Sequence, residues 1–192
     1  MQHFGRKLHL ISRAEQKNQS IKDLIQAGLR GDRNAQKAIY DSLASKMMSV
    51  CLRYMGDREA ALDILQEGFV TLFKRLDTYS GEGSFEGWAR KIFVNTALMS
   101  LRKNDALKGS SDIDDIWNIS SREESAVDKI AYNELMALVT SLPPGFRTVF
   151  NLYVVEGMSH KEIAESLGIS EVTSRSQLQR ARVLLQKKIG NR

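Results

Sequence analysis

The most constraining stretch of the chain is a pair of short helical patterns between Ser159 and Lys188 that one glycine separates. Ser159 with Glu162 three residues later is typical of a capping box, which begins a helix. Gly168 ends this helix, and Ser170 begins a second one. The second helix carries polar and basic side chains: Thr173, Ser174, Arg175, Gln177, Gln179, Arg180 and Arg182. This arrangement predicts a helix-turn-helix that reads the major groove of DNA. The alternative is a surface hairpin with a solvated basic face.

The composition favours an all-α fold of ordinary helical domains. The 192 residues include only two prolines and 7% aromatic side chains, and 42% are hydrophobic, as in a chain with packed helical cores. No apolar run is long enough to span a bilayer, and the N-terminus lacks the pattern of a cleavable signal. Cys51 is the single cysteine and cannot form an internal disulfide. We therefore expect a cytoplasmic protein without membrane insertion.

The distribution of charge divides the chain into two basic bodies and an acidic connector. Residues 1–103 hold 17 basic and 11 acidic side chains, residues 104–130 hold 3 and 7, and residues 131–192 hold 8 and 5. Basic bodies suit a polyanionic partner, although ordinary surface charge is the alternative. We predict an N-terminal tail (1–19), a first helical domain (20–104), an acidic flexible linker (105–130) and the helix-turn-helix domain (131–192).

The helix predicted from about Arg58 to Leu76 has an unusual polar face. Asp63, Gln66 and Glu67 are spaced three and four residues apart, so they share one side of the helix. Such a patch could dock a partner's arginines or could simply be solvated. The residues expected to form the core stripe of this helix are Leu62, Leu65, Phe69, Leu72, Phe73 and Leu76.

A glycine- and serine-rich loop (77–84) precedes another predicted helix, Phe85 to about Lys103. The hydrogen-bond donors of this helix are Arg90, Lys91, Asn95, Arg102 and Lys103. A glycine loop beside aromatic and basic residues suits single-stranded DNA, because charges neutralise phosphates and rings stack on bases. The aromatic residues Phe85 and Trp88 fit either this surface or the core.

The sequence contains no arrangement typical of catalysis. His3, His9 and His160 are scattered without metal-ligand spacing, and a single cysteine cannot build a zinc site. No glycine motif for phosphate precedes a lysine, and no carboxylates pair for acid–base work. We therefore expect no enzymatic activity, no catalytic residues, no cofactor and no metal.

The chain resembles RNA polymerase sigma factors of the extracytoplasmic-function (ECF) group of the sigma-70 family. The likeness extends from about Ser20 to Lys188. Its strongest motifs are AALDILQEGFVTLFKRL (60–76), SFEGWARKIFVNTALMSLRK (84–103), and LPPGFRTVFNLYVVEGMSHKEIAESLGIS with SQLQRAR (142–182). The resemblance implies a two-domain, all-α transcription initiation factor that binds core RNA polymerase and promoter DNA, both as duplex and as single strand.

The resemblance also implies roles for particular residues. Asp63, Gln66, Glu67 and Phe69 would dock on the clamp helices of the largest polymerase subunit, and the polymerase flap region is a further expected partner. A second set of residues would melt and read the −10 element: Tyr79, Ser84, Phe85, Trp88, Arg90, Lys91, Asn95 and Arg102. The loop that precedes Phe85 would hold a base flipped out of the DNA. The −35 readers would be Ser170, Thr173, Arg175, Ser176, Gln179 and Arg180. The acidic linker would run toward the active-site cleft.

Two departures from the family pattern lie in the recognition helix. Many members have Gly-Thr-Val at its start, where this chain has Val172-Thr173-Ser174, so a hydroxyl replaces an apolar side chain. Gln177 replaces a common arginine, which should weaken phosphate attraction slightly. The sequence is also compatible with two other hypotheses: a helix-turn-helix regulator whose N-terminal helices bind a signal or dimerise, and a sigma-like adaptor recruited to DNA by another protein. An anti-sigma factor is a possible partner.

Overall fold

A computed structural model describes residues 20–103 and 128–190, with side chains for 20–103 and 134–190. These residues form helices and contain no strand, which confirms the all-α prediction. The N-terminal domain contains α1 (20–29), α2 (Arg33–Met55), α3 (Arg58–Lys74), a 3₁₀ turn (Leu76–Thr78) and α4 (Phe85–Lys103). The C-terminal domain contains α5 (Asp128–Thr140), α6 (Pro144–Phe150), a π-helical turn (Asn151–Val155), α7 (His160–Leu167) and α8 (Glu171–Gly190).

Side chains and glycines begin and end the N-terminal helices. The carboxylate of Asp32 accepts from the backbone N–H groups of Asn34 and Ala35, so it caps the start of α2. Gly56, with φ of 74°, ends that helix. Asp57 caps α3, which ends at Lys74 rather than at the predicted Leu76 because the chain tightens there into the 3₁₀ turn.

The core of the N-terminal domain lies between α2, α3 and α4. Its fully buried side chains include Ile39, Tyr54, Leu72 and Phe93. The predicted core stripe of α3 is wrong at Leu62, which is 38% exposed. Leu62 lies beside Asp63 on the outward side of the helix, whereas Leu65 and Leu72 face inward.

The helix-turn-helix has the predicted construction. Ser159 and Glu162 form the reciprocal capping box at the start of α7, and Gly168 ends that helix with φ of 68°. The helix expected from Phe146 to Val155 instead begins at Pro144, where a proline needs no N–H partner, and its second half is π-helical. The buried residues that pack α6 and the turn before it against α8 are Leu142, Phe146, Ala181 and Leu185.

The two domains pack against each other through one continuous apolar core. Val149, Leu152, Ile163, Leu167 and Leu178 join the buried residues of α2, α3 and α4 in a single cluster. The C-terminal domain thus lies against the N-terminal one at the end of α2. The predicted tail (1–19) and nearly all of the predicted linker (105–130) fall outside the described residues, so these boundaries stay predictions.

Candidate functional site

The polar patch on α3 is exposed and has an apolar border. Asp63, Gln66 and Glu67 all face solvent on one side of the helix. Leu62 and Val70, which are 38% and 54% exposed, lie on the same side. Exposed apolar residues beside charged ones are typical of protein-binding surfaces. We call these five residues the α3 face.

Phe69 does not belong to the α3 face, which corrects its assignment as a docking residue. It is only 4% exposed, and its ring lies 4.4 Å from that of Tyr40 and 5.0 Å from that of Phe93. A side chain enclosed in this way cannot contact a partner directly. Its place is in the core beneath the α3 face, where it supports the helix that carries the patch.

Three aromatic residues proposed for the −10 element form one cluster at the start of α4. The ring of Tyr79 lies 5.2 Å from that of Phe85 and 5.5 Å from that of Trp88, and Phe85 and Trp88 are stacked at 5.5 Å. Phe85 is 6% exposed, so its assignment as a DNA contact is wrong and it belongs to the core. Trp88 and Tyr79 are half-buried and present part of their rings at the surface.

Some polar side chains of this segment are exposed to solvent, and others form hydrogen bonds with the backbone. Lys91, Asn95 and Arg102 are exposed on α4. The hydroxyl of Ser84 accepts from the backbone N–H of Gly87 at 3.0 Å, so Ser84 caps the helix. The hydroxyl of Tyr79 donates to the carbonyl of Gly83 at 3.0 Å, which closes the loop before the helix.

Arg90 forms an ion pair with the C-terminal domain. Its Nη2 atom lies 2.8 Å from Oε1 of Glu156, and its side chain is 34% exposed. Arg53 shares the same carboxylate oxygen at 3.3 Å. Nothing in the sequence pattern brings Arg90 and Glu156 together, because they are distant in the chain and only the packing of the domains joins them.

The recognition helix α8 presents a polar outer surface. Arg175, Ser176, Gln179 and Arg180 are exposed. Ser170 caps the helix by accepting from the N–H of Thr173 at 3.0 Å, and the two hydroxyls lie 2.9 Å apart. Arg175 pairs with Glu171 at 2.6 Å along the helix, and the guanidinium of Arg180 lies 5.9 Å from the ring centre of Phe146. These side chains share the surface that the sequence predicted for DNA.

Among the residues that depart from the family pattern, Ser174 and Gln177 are buried, whereas Val172 is 75% exposed. Ser174 is fully buried, and its hydroxyl lies 2.9 Å from Nδ1 of His160. His160 also stacks on Tyr153, with ring centres 4.6 Å apart. Desolvation, helped by the positive charge of Arg175, lowers the pKa of His160. Gln177 is 9% exposed, and the expected weakening of phosphate attraction by this residue stays a prediction.

Sequence reasoning missed the polar residues that join the domains. Arg147 is 5% exposed and Asn151 is fully buried, and both bind backbone carbonyls at the end of α2. A charged residue inside the apolar run PPGFRTVF was the only available signal. That signal does not identify the partner.

The described residues contain no group of side chains that could hold a metal ion. Within 20–103 and 134–190, no three His, Cys, Asp or Glu side chains are grouped as metal ligands. Burial raises the pKa of the Cys51 thiol to about 12, so it is an unreactive core residue. No helix in the described part of the chain is long and apolar enough to cross a bilayer.

Comparison with known proteins places both domains in one family. Residues 39–107 match the family model of sigma-70 region 2, and residues 132–185 match that of sigma-70 region 4. The ECF RNA polymerase sigma factor SigE of Mycolicibacterium smegmatis is 30% identical over 144 residues, which cover 72% of this chain and 55% of that protein. The ECF RNA polymerase sigma-E factor of Escherichia coli K12 is 28% identical over 177 residues, covering 86% and 92%.

A solved structure agrees at the level of the fold. The sigma factor RpoE from Bartonella quintana, crystallised with the anti-sigma factor NepR, has a TM-score of 0.50 and 17% identity. The alignment covers 80% of this chain and 96% of that one. Since both family models match in this order and the named relatives are ECF sigma factors, the chain belongs to the ECF group of the sigma-70 family of RNA polymerase sigma factors, which are promoter-recognising transcription initiation factors.

Proposed function

We propose that this sigma factor binds core RNA polymerase through the α3 face, opens and reads the −10 element with α4, and reads −35 duplex DNA with α8. The observation that carries the proposal is the exposure of Asp63, Gln66 and Glu67 between Leu62 and Val70. Charged groups of this kind pair with a partner's arginines, and the two apolar side chains supply area that gains from leaving water. The clamp helices of the largest subunit are the proposed partner.

For the −10 element, the proposal rests on the aromatic cluster and the donors beside it. Trp88 and Tyr79 keep part of their rings at the surface, where a base removed from its stack can find a new one. Lys91, Asn95 and Arg102 are exposed on the same helix and can meet phosphates. Unstacking costs a few kcal/mol, which such contacts offset.

For the −35 element, four exposed side chains of α8 are proposed to reach DNA: Arg175, Ser176, Gln179 and Arg180. Arginine and glutamine can make paired hydrogen bonds to guanine and adenine edges in the major groove. Ser170 and Thr173, which the sequence also suggested, have their hydroxyls engaged with each other and with the helix cap. We propose that they position the N-terminus of α8, where backbone N–H groups favour a phosphate.

Reversing charge on the α3 face tests polymerase docking. Asp63→Arg with Glu67→Arg should abolish capture of core polymerase in a pull-down, because two attractive groups become repulsive ones. Asp23→Arg with Asp41→Arg makes the same change of net charge at exposed sites on α1 and α2, outside the α3 face, and should leave capture unchanged. Undiminished binding by the first variant would remove the docking proposal and favour a simple helix-turn-helix regulator.

The acidic linker, the polymerase flap region and an anti-sigma factor or other recruiting protein stay predictions. The proposed work requires access to chromosomal DNA and core polymerase, so we propose that the protein acts in the cytoplasm, at the nucleoid.

A further inference from the structure

We propose that Val172 is a specificity-determining residue of the recognition helix α8, and that its side chain contacts the 5-methyl group of a thymine in the −35 element. The inference rests on the proposed role of α8 in reading −35 duplex DNA, and it deepens that role by naming one further reader and the base that it selects. The four side chains already proposed for this surface are polar and read DNA through hydrogen bonds. Val172 would read it through an apolar contact.

The side chain of Val172 lies in solvent. It is 75% exposed, which is the largest exposed fraction among the large hydrophobic side chains that the structure describes. Isolated exposed valines are ordinary on protein surfaces, so exposure by itself assigns no role to this residue. The position of Val172 on α8 carries the argument.

Val172 lies in the middle of the outer side of α8. Ser176 and Gln179 follow it by four and seven residues, and these spacings place all three side chains on one side of a helix. Ser176 and Gln179 are exposed, as is Arg175 beside them. The buried residues of α8 lie on its opposite side: Ser174, Gln177, Leu178, Ala181 and Leu185. The surface of α8 that is proposed to read DNA therefore includes Val172.

Val172 also occupies the part of a recognition helix that comes closest to the bases. In helix-turn-helix proteins, the N-terminal residues of this helix contact base edges in the major groove. The helix α8 begins at Glu171, so Val172 lies in its first turn. Val183, a second exposed valine on the same side of α8, lies about three helical turns further along. The two valines thus differ in their expected distance from the bases.

The polar side chains around Val172 are engaged within the helix itself. The hydroxyls of Ser170 and Thr173 lie 2.9 Å apart, and that of Ser170 accepts from the N–H of Thr173 at 3.0 Å. The carboxylate of Glu171 accepts from Arg175 at 2.6 Å, which balances its negative charge. In the first turn of α8, the side chain that is left to meet a base edge is therefore the aliphatic one.

Thymine is the base that an aliphatic side chain can distinguish. Its 5-methyl group lies in the major groove, where cytosine presents an amino donor and the purines present hydrogen-bonding atoms. Valine neither donates nor accepts a hydrogen bond through its side chain, so it cannot replace the water that those polar edges would lose. A valine in a helix also keeps nearly one rotamer, so the contact costs little side-chain entropy.

Replacing single thymines by deoxyuridine tests the proposal, because this change removes the methyl group and keeps every hydrogen-bonding atom of the base. The full-length protein first selects duplexes from a library with a random central segment. In a selected duplex, each thymine is then replaced in turn, and the affinity is measured by fluorescence anisotropy. At one thymine, the replacement should weaken binding by the wild-type protein about fourfold, as for one methyl group returned to water. Val172→Ala should bind the thymine and deoxyuridine duplexes equally.

Two further variants keep the test decisive. Val183→Ala removes the same atoms from the same side of α8, outside its first turn, and should keep the wild-type preference for thymine over deoxyuridine. Val172→Ile keeps a branched aliphatic group and should still prefer thymine at the same position. This variant separates the apolar contact from any other effect of changing residue 172.

A selected sequence at which deoxyuridine is tolerated in place of every thymine would overturn the assignment of Val172. The same holds if Val172→Ala keeps the full preference for the methyl group. In both cases, a selected sequence whose affinity falls in Arg175→Ala leaves −35 reading by α8 standing. If the protein selects no sequence at all, that part of the proposed function is wrong and the role of Val172 is wrong with it.

Discussion

The hydroxyl of Ser174, inside the recognition helix, lies 2.9 Å from Nδ1 of His160 at the start of the preceding helix. Ser174 is fully buried, so the imidazole supplies the partner that a buried hydroxyl requires. The polar residue at a position that is usually apolar is thus matched by a second polar residue across the turn. This pair fixes how α7 meets α8, and so the orientation of the surface of α8 that is proposed to read DNA.

We expect Ser174→Ala to cost about 1 kcal/mol of unfolding free energy, because it removes the partner of His160. The same substitution in a His160→Ala background should cost less, with a coupling energy of about 0.5–1.5 kcal/mol measured by urea unfolding. Ser176→Ala is the control, since its exposed hydroxyl bonds only the carbonyl of Thr173 in the same helix. If the losses of unfolding free energy caused by Ser174→Ala and His160→Ala are additive, the pairing is contradicted.

Stability should fall in mild acid because of His160. Desolvation, and then the charge of Arg175, lower its pKa below 6.5 in the folded state, so folding favours the neutral ring. This contribution is fully present above the unfolded-state pKa and is lost as pH falls through the lower folded-state pKa. Between about pH 8 and pH 5, where histidine titrates, the urea midpoint should fall less in His160→Gln than in the wild-type protein. An equal fall of the urea midpoint in both proteins would show that His160 is not the cause.

Arg175 and Arg180 should contribute separately to −35 binding. Arg175→Ala and Arg180→Ala should each weaken binding of −35 duplex DNA by about 1–3 kcal/mol if they make paired base contacts. Lys187→Ala, on an exposed site near the end of α8, should reduce affinity less and without regard to sequence. Fluorescence anisotropy with matched and mutated duplexes measures both effects. Normal promoter footprints with both arginine variants would exclude these roles.

Trp88→Ala should impair strand opening more than polymerase binding, because it removes a half-buried ring from the cluster with Tyr79 and Phe85. Permanganate reactivity of unpaired thymines at the −10 element measures opening. Met99→Ala removes an apolar side chain that is 67% exposed on the same helix and should leave reactivity unchanged. Reactivity of the Trp88 variant equal to that of the wild-type protein would refute the role.

Gly68→Ala should destabilise the N-terminal domain, although alanine normally favours a helix by up to about 1 kcal/mol over glycine. A Cβ atom at residue 68 would lie 2.3 Å from Cδ1 of Phe93, whose ring is fully buried. We expect a cost of about 1–3 kcal/mol in thermal or urea unfolding, typical of an overfilled core. Gly190→Ala, with nothing within 4 Å, should be neutral. An increase in stability at position 68 would contradict this packing.

Local patterns in the sequence predicted the helices and many of their ends. The capping box of Ser159 and Glu162, the stop at Gly168 and the shared side of Asp63, Gln66 and Glu67 all arise within one or two helical turns. Interactions at such short separations depend on the chain's own geometry, so the residue types are sufficient to predict them.

Burial was harder to predict within those same helices. Helical spacing predicted Phe69 in the core stripe of α3, and its burial confirms this. Phe85 has the residue type of a binding surface and of a core alike, and only its burial against neighbours such as Tyr79 and Trp88 decides for the core. Leu62 is the opposite case, an apolar residue that the tertiary structure leaves exposed on the α3 face. Helical spacing gives the side of a helix, but the neighbour that covers it comes from elsewhere in the chain.

The residue pattern predicts helices throughout and a helix-turn-helix at the C-terminal end, and its motifs resemble those of sigma factors. Three further contacts become apparent only in the packed fold: His160 pairs with Ser174, Arg147 binds the last carbonyls of α2, and Glu156 forms an ion pair with Arg90. Each of these contacts joins groups on different helices. Their energies depend on distance, direction and exclusion of water, and these quantities exist only once the helices have packed.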